Sequence, residues 1–197
     1  ALLGWSTENE IFSIDELIES FKLENVQKAA AVFDLKRFNW VSSQQLAKLD
    51  ENGFFEVIKP FMENEGVNED YPNYKKILLA MRTSKTNLKD IAHATRPFFF
   101  ELDGYDEKGV KKFLNESLET LTFALEVLSK LTEWNETELD MALIKVRDYF
   151  NLPIPKVNQP MRIALVGSTV SPSLGLTLEL FGKEKSLERI QKAIDFI

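Results

Sequence analysis

Apolar residues spaced three and four positions apart limit the possible folds of this chain more than any other feature. The longest series runs from Val110 to Leu131, and shorter ones recur through the rest of the sequence. This spacing places apolar side chains on one face of an α-helix. Strand signals are almost absent, since Asn52-Gly53 stands before a helical run and not between two alternating segments. The sequence therefore predicts an all-α fold.

Capping residues predict where individual helices begin. Ser13 and Glu16 match a capping box, in which a hydroxyl and a carboxylate each bond the backbone amide of the other residue. Asp34 is expected to cap a short helical turn that reaches Phe38, and Asn135 to cap a longer helix. These signals indicate helices of ordinary length.

Proline and glycine predict further helix boundaries. One helix is expected to stop near Pro97, and Pro160 to lie in a first helical turn, where its missing amide costs nothing. Ser171-Pro172 is expected to open a helix that Gly182 closes.

Two polar segments, 50–53 and 103–106, are predicted joints between structural units. They divide the chain into residues 1–49, 50–106 and 107–197. Units of roughly 50 residues are too small to be robust alone, so the first two are expected to lean on their neighbours. The prediction is a series of consecutive small helical bundles.

The charge distribution favours some partners over others. The 197 residues include 24 Lys and Arg against 31 Asp and Glu, a net charge of −7, which argues against non-specific binding to nucleic acid or to an anionic membrane. The segment 75–96 is the only compact basic stretch, and Phe98-Phe99-Phe100 follows it. Such a segment can hold phosphates while aromatic rings stack on bases. The alternative is a solvated basic face beside a buried phenylalanine cluster.

Residues typical of catalysis or metal binding are scarce. The chain has no cysteine, one histidine (His93), and no glycine-rich phosphate loop, HExxH or GxSxG motif. His93 is expected to pack on a helix, and Ser168 to lie in a turn. Pairs such as Glu136 and Glu138 are expected by chance among so many acidic residues. The sequence therefore predicts neither a catalytic residue nor a metal site.

A second binding candidate combines an arginine with a loop. Gln159 and Arg162 stand on a predicted helix, and the segment 171–174 leads into the next one. Unpaired amides and carbonyls at a helix start can read base edges. The alternative is an ordinary corner between two helices.

Location signals point to the cytoplasm. No run of eighteen apolar residues occurs, so no membrane span is predicted. The first residues lack the basic segment of a signal peptide, and a start at Ala1 is expected for a piece of a longer chain.

Several motifs in one order resemble the C-terminal portion of bacterial-type glutamyl-tRNA synthetases, which are class I aminoacyl-tRNA synthetases. They are LGWS at 3–6, VFD at 32–34, IKPF at 58–61, QPMRIALVG at 159–167 and LFGKE at 180–184. The resemblance implies a stem-contact region followed by two helical anticodon-binding subdomains. It implies a tRNA-binding fragment without the catalytic core, inactive by itself. The parent enzyme would use ATP and Mg²⁺ to ligate glutamate to tRNA, whereas this part would hold no cofactor.

The resemblance also implies a set of binding residues and partners. The expected anticodon contacts are Gln159, Arg162, Ser171, Pro172 and Leu174, with Ser84 and Lys85 near the third base, and the expected stem contacts are Lys28, Lys36 and Arg37. The expected partner is tRNA-Glu, bound by a monomer that makes no membrane contact. The alternative function is a stand-alone helical protein-interaction module that kept the fold but lost RNA binding.

Departures from the family pattern concern discrimination between tRNAs. Ser84 stands where the family has an arginine that distinguishes C from G at the third anticodon base, and loss of a bidentate base contact costs about 1–3 kcal/mol of discrimination. Lys85 or Arg82 is a candidate replacement. Relaxed discrimination, with tRNA-Gln as a second partner, is the other alternative. Segment 42–46 and Ser173 also depart from the pattern.

Overall fold

The computed structural model describes Trp5, residues 9–26 and residues 33–197. Within these ranges the chain forms helices and contains no strand, which confirms the all-α prediction. None of the described helices has the length and apolarity that crossing a bilayer requires. The division into residues 1–49, 50–106 and 107–197 stays a prediction.

The described residues of the N-terminal part include the helices α1 (Ile14–Ser20) and α2 (Leu35–Lys48), with a short 3₁₀ turn at Leu23–Asn25 between them. The predicted capping box is present, because the Ser13 hydroxyl accepts from the Glu16 amide and the Glu16 carboxylate accepts from the Ser13 amide. Asp34 caps α2, which spans 14 residues instead of the short turn predicted. No proline or glycine interrupts residues 35–48, so the helix continues.

The next three helices pack on one another: α3 (Glu51–Asn64), α4 (Tyr74–Met81) and α5 (Leu88–Phe99). Their shared core consists of fully buried apolar side chains, which include Phe54, Ile58, Met62, Leu78 and Ile91. The predicted stop near Pro97 agrees with the end of α5 at Phe99, and Pro97 itself lies in the last turn of the helix. A proline removes only the amide bond to the carbonyl four residues earlier, and His93 at that position is exposed.

The remaining chain forms a larger bundle. A short helix α6 (Glu107–Gly109) continues into a π-helical turn (Val110–Leu114), and α7 (Leu118–Ser129), α8 (Glu136–Phe150), α9 (Ile154–Val166), α10 (Leu174–Phe181) and α11 (Lys183–Phe196) follow. The apolar series between Val110 and Leu131 is therefore broken. The break lies at Ser117, whose amide and hydroxyl both donate to the carbonyl of Leu114.

Two predicted helix starts need correction. Pro160 lies buried inside α9, whose first turn contains Pro155, and not in a first turn of its own. Helix α10 begins after Ser173, whose hydroxyl accepts from the Leu176 amide at 3.4 Å, so Ser171-Pro172 belongs to the preceding loop. Gly182 does close α10, as predicted, with a positive φ of 76°.

Candidate nucleic-acid interface

Arg162 contacts two of the other predicted anticodon residues. It projects from α9 toward the loop that leads into α10, where its Nε donates to Ser171 Oγ at 3.1 Å and its Nη2 donates to the Pro172 carbonyl at 3.2 Å. Thr177 Oγ1 donates to Ser171 Oγ at 3.1 Å and ties the loop to the first turns of α10. The structure thus brings Arg162, Ser171 and Pro172 together in one corner, which we call the Arg162 corner.

The charge of Arg162 is not neutralised within the described part of the chain. Burial lowers the pKa of its guanidinium, and no carboxylate among the described residues pairs with it. A guanidinium has five N–H donors, and the bonds to Ser171 and Pro172 use two of them. A half-buried cation without an anion is costly, so this position favours an external acceptor with negative charge.

Gln159 lies one helical turn before Arg162 and is half-buried. Its side-chain oxygen is shielded from solvent and accepts no hydrogen bond. Buried polar atoms in proteins are nearly always bonded, and an unpaired one requires an explanation. Gln159 therefore presents an unsatisfied polar atom beside an unpaired cation.

Leu174 and Ser173 differ in what they can offer at the Arg162 corner. Leu174 is only 3% exposed and belongs to the core, so its side chain cannot contact a base. Its amide, in the first turn of α10, donates to no described residue. The Ser173 hydroxyl donates to the carboxylate of Glu136, which places an acidic side chain beside the corner.

Ser84 and Lys85 lie at a different place, in the loop between α4 and α5. They line a cavity of about 360 Å³, whose other lining residues are Ser43, Gln44, Leu46, Ala47, Arg82, Thr83 and Thr86. The Ser84 hydroxyl is buried without a hydrogen-bond partner, whereas Lys85 is exposed and contacts no charged group of the described chain. No hydrogen bond or ion pair of described residues joins this cavity to the Arg162 corner.

Arg82 is held inside the protein, so Lys85 is the accessible one of the two candidate residues. Its guanidinium donates to the carbonyls of Leu46 and Leu49, the latter at 2.6 Å, and lies 5.0 Å from the Phe54 ring centroid. Sequence reasoning missed the contribution of α2 to this cavity. The only signal was the departure from the family pattern at residues 42–46.

The predicted stem contacts have different surroundings. Lys28 lies outside the described residues. Lys36 is exposed at the first turn of α2, and its side chain bonds no described residue. Arg37 forms an ion pair with Glu10, so an approaching phosphate would have to compete with that carboxylate.

The basic segment 75–96 favours the alternative interpretation, a solvated face beside a phenylalanine cluster, although Phe99 and Phe100 are only half-buried. Phe98 is buried and stacks on Phe181 with ring centroids 4.7 Å apart, so it cannot stack on a base. Lys76 pairs with Glu179, and Arg96 pairs with Glu65 at 2.9 Å.

The side chains considered for catalysis lie in ordinary surroundings. His93 is 73% exposed, 3.4 Å from Glu65, and Ser168 lies in a bend after α9. In the described residues, no three His, Asp or Glu side chains converge as metal ligands would.

Comparison with known proteins identifies the family of this chain. A family model described as an anticodon binding domain matches residues 43–194. The chain is 33% identical to the glutamate–tRNA ligase of Thermodesulfovibrio yellowstonii over 99% of its own length, and 34% identical to glutamate–tRNA ligase 1 of Caldanaerobacter subterraneus over its whole length. It spans 43% and 42% of those two relatives.

Solved structures show the same likeness. A crystal structure of a glutamate tRNA ligase from Elizabethkingia meningosepticum, in complex with its amino acid, matches 98% of this chain with a TM-score of 0.80 and 29% identity, and this match covers 39% of that protein. The glutamate–tRNA synthetase of Elizabethkingia anophelis matches with a TM-score of 0.77 and 28% identity. The resemblance stated from sequence motifs is confirmed, and the chain belongs to the anticodon binding domain family.

Proposed function

We propose that this chain binds tRNA and that the Arg162 corner contacts anticodon bases. The observation that carries the proposal is the half-buried guanidinium of Arg162, which retains three N–H donors without a partner in the described chain. An arginine with this freedom can bond a base edge or a phosphate. The adjacent oxygen of Gln159 has no partner but is shielded from solvent, so it would accept from a base amino group only after its side chain turns outward.

The whole-protein context extends this proposal. Because the relatives are glutamate–tRNA ligases, we propose tRNA-Glu as the partner and ATP-dependent ligation of glutamate as the activity of the longer protein. ATP and Mg²⁺ would be held outside residues 1–197, which would be inactive alone. A monomer in the cytoplasm is the proposed form.

Discrimination against tRNA-Gln is proposed to be weak. Lys85 can neutralise a phosphate but lacks the planar fork with which arginine recognises guanine or a phosphate bidentately. Ser84 offers one hydroxyl in a cavity large enough for a polar group. These residues support acceptance of either base at the third anticodon position.

The test compares Arg162→Ala with the control Arg147→Ala. Arg147 bonds only its neighbour Asp148 on α8, so its removal changes the charge equally without touching the Arg162 corner. We expect Arg162→Ala to reduce the affinity ratio between tRNA-Glu and a transcript with an altered second anticodon base by about tenfold. The measurement is fluorescence anisotropy at two salt concentrations. Unchanged selectivity in Arg162→Ala would contradict the assigned role.

A protein-interaction module is the second candidate function. The exposed apolar side chains of Ile14, Ile18 and Leu23 in the N-terminal part favour it, because they are typical of surfaces that contact another protein. Equal affinity of the chain for tRNA-Glu and for random RNA would support this candidate over RNA recognition.

A further inference from the structure

The segment between α5 and α6 is held in place, although its sequence predicts a joint. The Asp106 amide donates to the Gly167 carbonyl at 2.8 Å. Gly167 has a φ of +72°, and a Cβ at this position would lie 2.8 Å from the Gly104 carbonyl oxygen. The backbones of the connecting segment and of the end of α9 therefore touch, which only glycine at 167 permits.

Ion pairs attach the same segment to α11. Glu101 bonds Lys192 at 3.1 Å and lies 4.0 Å from Lys185. Lys192 is the main cause that lowers the pKa of the Glu101 carboxyl. Glu101 and Lys192 are exposed and Lys185 is half-buried, so each pair adds little to stability, but together they keep the segment against α11.

Arg189 of α11 lies at the centre of this contact and is only 2% exposed. Its Nη2 donates to the Phe100 carbonyl at the end of α5, at 2.7 Å, and its Nη1 donates to the Leu165 carbonyl in the last turn of α9. The guanidinium carbon lies 4.5 Å from the ring centroid of Phe181, and that ring stacks on Phe98 of α5. One side chain thus joins α5, α9, α10 and α11.

Stability alone does not explain an arginine at this position. Burial lowers the pKa of Arg189, its Nε has no hydrogen-bond partner, and no described carboxylate forms an ion pair with it. An apolar side chain of similar volume would avoid this desolvation cost. An apolar side chain would not, however, bond two carbonyls at once. Those carbonyls lie at C-terminal ends of helices, where partial negative charge attracts a cation.

We propose that Arg189 is a positioning residue that fixes the orientation of α3–α5 relative to α7–α11. The proposal rests on the proposed function, because Lys85 belongs to the first set of helices and Arg162 to the second. Leu165, whose carbonyl Arg189 holds, lies one turn after Arg162 on α9. A fixed orientation presents both contacts to one RNA without the entropic cost of ordering two units.

The orientation is tested first without RNA. The chain has no cysteine, so Glu56→Cys on α3 and Lys145→Cys on α8 introduce two labelling sites at exposed positions. The distribution of distances between the two spin labels should be narrow in the labelled chain without further substitution and in the control Arg147→Met. It should be broad in Arg189→Met. A narrow, unchanged distribution in Arg189→Met with native circular dichroism would overturn the proposal.

A second variant covers the possibility that Arg189→Met does not fold. Arg189→Lys keeps the charge and most of the volume, but an ammonium lacks the planar fork that bonds both carbonyls. It should broaden the distance distribution less than Arg189→Met and more than the control. A distribution identical to that of the parent would equally overturn the proposal.

The binding test separates positioning from loss of stability. The ligand is an anticodon-arm hairpin that carries the glutamate anticodon. Arg162→Ala should weaken its binding about tenfold when the rest of the chain is unsubstituted, and by less than about threefold in the Arg189→Met background. A loss of stability alone lowers the folded fraction by the same factor whether residue 162 is arginine or alanine. Equal weakening of hairpin binding by Arg162→Ala in both backgrounds would therefore overturn the proposal. If the hairpin does not bind the parent at all, the proposed function fails, while the distance measurement still decides the role of Arg189.

Discussion

The Arg162 corner shows which properties of single residues a motif can predict. The QPMR segment indicated an arginine beside the loop at 171–174, and Arg162 does bond Ser171 and Pro172. The motif could not reveal that the Leu174 side chain is buried, because burial depends on the helices packed around α10. The assigned base contacts stay predictions, and the structure adds which atoms are free to make them.

Gly175 is a residue whose size is set by its surroundings. A Cβ at this position would lie 2.4 Å from Asp140 Oδ1 and 2.8 Å from the Glu136 carbonyl oxygen. Because the Glu136 backbone cannot move aside easily, Gly175→Ala should destabilise the chain by about 1–3 kcal/mol despite the higher helix propensity of alanine. The free energy of unfolding in urea measures this.

The matched control for Gly175→Ala is Gly53→Ala, in the first turn of α3. There the closest atom to an added Cβ is the carboxylate oxygen of Asp50 at 3.0 Å, on a side chain that can move. Gly53→Ala should change stability far less. An equal loss in the two variants would show that the close approach of α8 and α10 is not the cause.

At the scale of elements, local signals were predicted better than tertiary ones. The caps at Ser13, Asp34 and Asn135 are present, because a capping bond involves only neighbouring residues. Pro160 was misread because packing of the surrounding helix turns outweighs one lost amide bond. Periodicity alone likewise could not show the interruption between α6 and α7.

The segment 50–53, predicted to be a joint, contains the start of α3, and Asp50 caps this helix. Its carboxylate accepts from the Gly53 amide at 2.7 Å. Asp50→Ala should lower the free energy of unfolding by about 1 kcal/mol, because this amide loses its partner at the first turn of α3. Asn52→Ala, at an exposed position of the same turn, should have little effect in urea unfolding. Identical effects of the two changes would argue against capping as the cause.

At the scale of the whole molecule, side-chain contacts join helices that are far apart in the sequence. Lys76 of α4 pairs with Glu179 of α10, and Glu179 also accepts from the Glu136 amide at 2.7 Å. These contacts join residues 103 and 43 positions apart, so no local pattern could predict them. The contact between the two sets of helices, formed by this ion pair, the Phe98–Phe181 stack and Arg189, is therefore the part of the fold that the sequence could not predict.

The contact between α4 and α10 should depend on pH. The Lys76 ammonium, followed by the Glu136 amide, holds the pKa of Glu179 below its ordinary value of 4.5. A lowered folded pKa stabilises the folded state above pH 4.5, and this contribution disappears as pH falls through the folded pKa. Glu179→Gln should therefore lose less stability on acidification than the parent chain.

Thermal unfolding across this acidic range measures the effect, with Glu56→Gln as the control. Glu56 is exposed on α3 and forms no ion pair with any described residue. Its substitution should leave the pH profile of the parent unchanged. The same profile in Glu179→Gln and in the parent would exclude this ion pair as a source of acid sensitivity.

Gly182 leaves no spacer between the last two helices, since α10 ends at Phe181 and α11 begins at Lys183. No loop is present to absorb an inserted or deleted residue at this bend, so such a change would shift the position of every residue of α11. One inserted residue would turn that helix by about 100° about its own axis. Arg189 would then point away from the carbonyls of Phe100 and Leu165, so the register of α11 depends on a single glycine.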